Sequence, residues 1–261
     1  MIGYETKKTI MMSETKSKNY SLYFGIIIIM ILGFTTVFLP KETFLSLVIE
    51  DGPFENAGAI LFLLTSILFF VLFFRRDKFS SPQDREYFST YSRRIFFLLL
   101  GLLFFVLLGE EISWGQRIFG FETPESIEAR NVQDEFNIHN LEFFHLKNEE
   151  KVQKTGIQAM FTAKKMFVYV FIIYLFIIPL CVKFIEPIKN LTKRFYLPVP
   201  VIGLGILFIL DVLLFKAFKP FSDGTTGMLR GLAEVEEFNF ALILFMLPFI
   251  WLGMPTKKLS L

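Results

Sequence analysis

This sequence predicts an all-α, polytopic integral membrane protein, and three observations carry the prediction. The chain has 261 residues, is 53% hydrophobic and has a mean hydropathy of +0.53, with its apolar residues gathered in long blocks. Lysines and arginines crowd into alternate segments between those blocks, the asymmetry that orients helices across a bilayer. Acidic residues crowd into the other segments, which hold nineteen of the 25 aspartates and glutamates when the membrane edges are counted with them. The lipid bilayer is therefore the expected partner. A net charge of +2 offers no basic surface for nucleic acid. Cys181 is alone, so no intramolecular disulfide forms, and two histidines with one cysteine exclude a Cys-rich zinc site.

Residues 1–20 read as a polar cytoplasmic tail carrying Lys7, Lys8, Lys16 and Lys18. The first apolar run, 22–39, is long enough to span, and no small-x-small cleavage site precedes Pro40, so it reads as an uncleaved signal anchor. Further spans are expected at 57–74, 95–108, 166–184, 197–215 and 238–252, about six in all, followed by a short tail at 254–261. Pro198 and Pro200 lie near the start of the fifth, where proline is tolerated. With no repeat and no linker, residues 21–253 form one membrane domain. The basic residues of the tail, of the segment from Arg75 to Arg94, of that from Lys183 to Arg194, and Lys257 and Lys258 then lie inside, with both termini cytoplasmic. The acid-rich segments, including the long one at 109–165, face outward. Positive-inside asymmetry does not require acids to accumulate, so some of these carboxylates are expected to serve a site.

The stretch Gly109-Glu110-Glu111-Ile112-Ser113-Trp114-Gly115-Gln116-Arg117 is the most informative. Two carboxylates at the lip of a span are costly unless paired, hydrated or bound to a cation. A continuing helix would place Glu110, Ser113, Trp114 and Arg117 on one stripe. Either Glu110 pairs with Arg117 or meets interfacial water, or the stripe belongs to a functional polar cluster. Further on, a helix through Asn131–His145 would set Glu135, His139 and Glu142 on one face, able to ligate a divalent ion or shuttle a proton. An amphipathic helix lying on the membrane through Phe136, Phe143 and Phe144 fits the same residues.

Other acids have structural readings beside the functional one. Glu50, Asp51 and Glu55 surround Gly52-Pro53, the pattern of a capped helix start. Thr123-Pro124-Glu125 opens a short helix. Ser222–Gly227 is a turn without the spacing or lysine of a P-loop, so no nucleotide is expected. Arg230, Glu234 and Glu237 would share one helix face, with Arg230 and Glu234 paired at i,i+4. Asp211, inside the fifth span, is an intramembrane acid that either functions or is neutralised by a snorkelling Lys216.

The run Gly109–Arg117, with Asn131-x-Gln133-x-Glu135 and His139-Asn140 after it, resembles a group of uncharacterised bacterial polytopic membrane proteins. That resemblance implies a bacterial inner (cytoplasmic) membrane, multi-pass, and no activity. Glu110-Glu111 is also similar to the paired glutamates of the CAAX-protease and bacteriocin-processing membrane family, which carries Glu-Glu-x-x-x-Arg, Phe-x-x-x-His and His-x-x-x-Asn. Here Arg117 stands two residues late, Phe136-x-x-His139 is one residue short, and no third motif follows on a later span.

The leading expectation is a membrane-embedded enzyme acting at the outer face on a lipid-linked or peptide substrate. Glu110, Glu111, Glu135 and His139 would be catalytic, with Glu111, Glu135 and His139 as ligands of a divalent metal ion. Trp114, Gln116 and Arg117 would bind substrate, Gln116 and Arg117 orienting an anionic headgroup. Glu50, Asp51, Glu55, Asn131, Asn140, Asp211, Glu234 and Glu237 are second-tier members. A transporter with an acidic outer vestibule, Asp211 acting as relay, and a non-catalytic membrane subunit are the alternatives.

Overall fold

Long runs of Leu, Ile, Val and Phe have no water to bond in lipid, so their backbone must satisfy itself and helix is the form they take. The computed structural model describes residues 21–49, 51–75, 91–131, 135–144, 155, 160–222 and 225–252, without the side chains of residues 91, 92, 117 and 226. Among the described residues every regular element is helical, and the β contact recorded is a single bridge between Asn131 and Leu141. Helix α1, Ser21–Phe38, ends in a tight 3₁₀ turn. It is followed by α2, Lys41–Leu47, α3, Pro53–Phe74, and α4, Tyr91–Glu111. Two single turns, α5, Gln116–Phe119, and α6, Glu125–Glu128, lie in the long segment. Then come α7, Ala163–Phe184, α8, Glu186–Arg194, α9, Ile202–Phe218, α10, Thr226–Phe245, and α11, Leu247–Leu252.

Among the described residues, four stretches are long and apolar enough to cross a membrane: α1, α3, α7, and Gly227–Leu252, which joins α10 to α11. This marks the protein as membrane-associated. Helix α4 carries charges at both ends, and α9 has 17 residues. Several boundaries differ from the sequence reading. The fifth helix starts at Ile202, because each residue before Pro198 and Pro200 is driven out of helical geometry. The last starts at Thr226, well before Phe238, since Glu234, Glu236 and Glu237 are good helix formers that an apolar count passes over. It breaks at Met246, just ahead of Pro248, which cannot continue the backbone ladder.

Lipid offers no hydrophobic drive between helices, so interlocking side chains must hold the bundle. Phenylalanine does most of this. Phe69 of α3 stacks on Phe104 of α4 with ring centroids 5.6 Å apart, and Phe208 of α9 stacks on Phe240 of α10 at 4.4 Å. A smaller core of Phe34, Phe44, Leu232 and Val235 seats α2 against α1 and α10. Outward, α3 exposes Ile60, Leu63, Leu64 and Ile67, the apolar surface that lipid would cover. Midway along α7, Ile173–Ile177 widens to a π-helix. Gly205 of α9 lies so near that a Cβ there would sit 2.4 Å from the Leu175 carbonyl oxygen, so only glycine permits this approach.

Candidate functional site

Helix α4 does not continue through the Glu-Glu stretch. Ser113, Trp114 and Gly115 take φ of 46°, 53° and 81°, three successive residues in the left-handed region, and the chain reverses. The expected stripe of Glu110, Ser113, Trp114 and Arg117 is therefore replaced by a fold-back. The Trp114 ring lies on Gly109, where a Cβ would be 2.9 Å from it. From there Trp114 Nε1 donates to Glu110 Oε1 at 2.8 Å. The Arg117 side chain lies outside the described residues.

The expected helix over Asn131–His145 is also absent where described: residues 135–144 run through turns into a 3₁₀ turn at Glu142–Phe144. Asparagine explains this, because its side chain offers the backbone a local alternative to the helix ladder. Asn131 Nδ2 donates to the carbonyls of Glu135 at 2.6 Å and Asn137 at 3.1 Å. Glu135, 7% exposed, is the hub. Its Oε2 accepts from Ser113 Oγ at 3.0 Å, Asn140 Nδ2 at 2.9 Å and Asn137 Nδ2. Gln116 ties on α5, its Oε1 accepting from Phe136 N at 2.7 Å and its Nε2 donating to Thr123 Oγ1 at 2.8 Å. Three donors on one oxygen fix the orientation of the Glu135 carboxylate within the cap.

Glu110, just beyond the apolar stretch 95–108, fixes the other edge of this cap. Its Oε2 accepts from the backbone N–H of Ile138 at 2.8 Å and of His139 at 2.9 Å, and lies 3.3 Å from His139 Nδ1. Burial pushes the Glu110 carboxyl up, but the donors from His139, Trp114 and Ile138 outweigh it and hold the group below the ordinary carboxylate range. The imidazole of His139 remains substantially exposed.

Beneath the cap is a cavity of about 380 Å³. Its polar lining is Glu110 and Glu111 from α4, His139 from the cap, Lys164 from α7 and Glu237 from α10; its walls include Phe62, Leu107, Phe167 and Phe240. Segments far apart in the chain thus converge at one end of the bundle. Glu111 Oε1 lies against Gly58 of α3, at 3.5 Å from its Cβ position. Lys164 Nζ contacts Glu236 at 2.6 Å and Glu237 at 3.3 Å and sits over the Phe215 ring.

Deeper still, Asp211 of α9 is fully buried, and its Oδ1 accepts from Asn239 Nδ2 of α10 at 2.8 Å. Helix α9 extends to Phe218, so Asp211 lies seven residues, roughly 10 Å, from that end rather than the four expected. Its direct partner is Asn239 and not a snorkelling Lys216.

Of the residues singled out in the sequence, Glu110, Trp114, Gln116, Asn131, Glu135, His139 and Asn140 meet in the cap, and Glu111 and Glu237 join the cavity below it. Glu55 closes a helix start: its Oε2 accepts from Asp51 N at 2.6 Å, while Pro53 opens α3 and Asp51 takes a φ of 60°. Glu234 on α10 lies within electrostatic reach of Glu55, Glu237 and Arg230. Glu50 and His145 fall outside the described residues. The three expected metal ligands are not gathered, and among the described residues no group of three His, Cys, Asp or Glu side chains could hold an ion. Asn137, Lys164, Glu236 and Asn239 were passed over. Asn239 alone carried a signal, as the one polar residue inside the last apolar run. Comparison of the chain with protein-family models, curated proteins and solved structures finds no match.

Proposed function

We propose that this protein is a membrane-embedded enzyme acting on an amphiphilic substrate, lipid-linked or peptide, at the acid-lined end of the bundle. α4 and α9 complete six spans, both termini face the cytoplasm, and the acid-lined end faces outward from a bacterial inner membrane. The charge asymmetry and the resemblance of Gly109–Arg117 support that placement. One observation carries the enzymatic reading: Glu110, Glu111, His139, Lys164 and Glu237 line a single cavity whose remaining walls are apolar.

In this reading Glu110 orients His139, and the imidazole takes a proton from a water that attacks the substrate's ester or amide carbon. The proton passes to the departing oxygen or nitrogen, with Glu111 as the second acid–base group. The acyl chain or apolar side chain lies along Leu107, Phe167 and Phe240. Three carboxylates against one ammonium make the polar end suit a neutral or cationic head. Gln116 is held by Thr123 and Phe136 as part of the cap.

The test is product detection by mass spectrometry, with purified protein on a bacterial membrane lipid and lipopeptide extract. Glu111→Gln and His139→Gln are expected to lose 100-fold or more of the turnover with unfolding temperatures unchanged. Full turnover in both variants overturns the reading. The buried Asp211–Asn239 pair favours a second reading, coupled transport, which predicts cation-driven flux in proteoliposomes that is lost in Asp211→Asn.

A further inference from the structure

The Asp211–Asn239 pair is unusual in what it leaves unmade. Both side chains are fully buried between α9 and α10. Their mutual hydrogen bond uses Asp211 Oδ1 and Asn239 Nδ2, while Asp211 Oδ2 and Asn239 Oδ1 are buried with no hydrogen-bond partner. Both orphans are oxygens, and two acceptors cannot satisfy each other. Asn239 Oδ1 looks toward α1, where Gly33 has no side chain; a Cβ there would lie 3.7 Å from it. Leaving such atoms bare in a low-dielectric interior is costly, and what satisfies an acceptor is a donor or a cation.

The charges around the pair point the same way. Glu236 of α10 is buried, 2% exposed, and its partner is the Lys164 ammonium of α7, whose nitrogen is buried although about a third of the side chain is exposed. Those two cancel, and Lys216 of α9 acts electrostatically on Glu236. Glu237, also on Lys164, is substantially exposed and answers to solvent. Lys164 acts on Asp211 electrostatically but is in contact with Glu236 and Glu237, so the Asp211 carboxyl has no ion-pair partner of its own among the described residues. Buried charges are paired, neutralised or bound to a cation.

We propose that Asp211 and Asn239 form a buried site for one monovalent cation, a proton or a sodium ion, held between Asp211 Oδ2 and Asn239 Oδ1. A single positive charge there satisfies both orphan oxygens and balances the interior. This inference does not rest on the acid–base chemistry of the cavity. It sharpens the transport reading but needs no flux, because it concerns occupancy at equilibrium.

The experiment uses the full chain in detergent. Unfolding temperature is followed as sodium chloride replaces choline chloride at constant ionic strength, and infrared spectra of wild type and Asp211→Asn are compared for a protonated-carboxyl C=O band. A sodium-dependent rise in wild type, absent in Asp211→Asn, supports the site and assigns the ion as sodium. A protonated-carboxyl band missing from Asp211→Asn, with no sodium effect, supports it and assigns a proton. Asn239→Asp adds a second carboxylate and is expected to strengthen whichever signal appears, so a folding defect in Asp211→Asn would not end the test. If wild type shows neither signal, as with a bridging water alone, the proposal is overturned. Flux without either signal would overturn the site and leave transport standing; either signal without flux would do the reverse.

Discussion

Two buried polar clusters occupy the same half of this molecule and are built to opposite rules. In the cap, Glu135 gathers Ser113, Asn137 and Asn140 on one oxygen while Asn131 bridges two carbonyls, so a buried carboxylate is satisfied by the chain itself. Between α9 and α10, Asp211 receives one hydrogen bond, and its other oxygen and that of Asn239 have none. A satisfied network rigidifies and specifies one conformation; an unsatisfied one asks for something from outside. The cap thus reads as scaffold that presents His139 and Glu110. The inner pair reads as a receptor.

The sharpest test of that contrast removes each hub. Glu135→Leu orphans three donors at once and should destabilise the cap by about 3 kcal/mol or more. Limited proteolysis should then open residues 121–144. Asp211→Asn, in sodium-free buffer, should keep or raise the unfolding temperature, because it removes a buried carboxyl without an ion-pair partner and keeps the shape. Equal losses in both would erase the distinction.

Next in size is Gly109→Ala, whose new methyl must displace the Trp114 ring at a cost of about 1–3 kcal/mol. Loss of the Trp114–Glu110 hydrogen bond should shift tryptophan emission, with Trp251, buried in the core, as internal reference. A smaller effect is expected from acid. Because the Glu110 carboxyl is held below its ordinary value of 4.5, it contributes stability above that pH, and the contribution is lost as pH falls through the lowered value. Cap fluorescence should therefore change on acidification below about 4.5, and Glu110→Gln should abolish the change. The smallest effect belongs to the helix start: Asp51→Gly relieves a φ of 60° and should stabilise α3 by no more than about 0.5 kcal/mol in thermal unfolding.

The sequence by itself determined the helical membrane-associated class, because apolar blocks longer than a bilayer's core leave the backbone one way to satisfy itself. It also located the cap: Glu110, Trp114, Gln116, Asn131, Glu135, His139 and Asn140 were all singled out from the chain, and all meet. Their roles were not legible. Periodicity placed Glu135, His139 and Glu142 on a helix face, but Asn131 and Asn137 bond to nearby backbone and undo that helix, and side-chain competition of this kind leaves no periodic trace. Tertiary structure alone decided that Lys164, from a segment ending at the membrane, reaches Glu236 and Glu237. It alone decided that Asn239 faces Asp211 across 28 residues of chain. A lone asparagine in an apolar run says that something polar is needed there; which group answers it depends on how two helices rotate against each other, and in this packing Phe208 also stacks on Phe240.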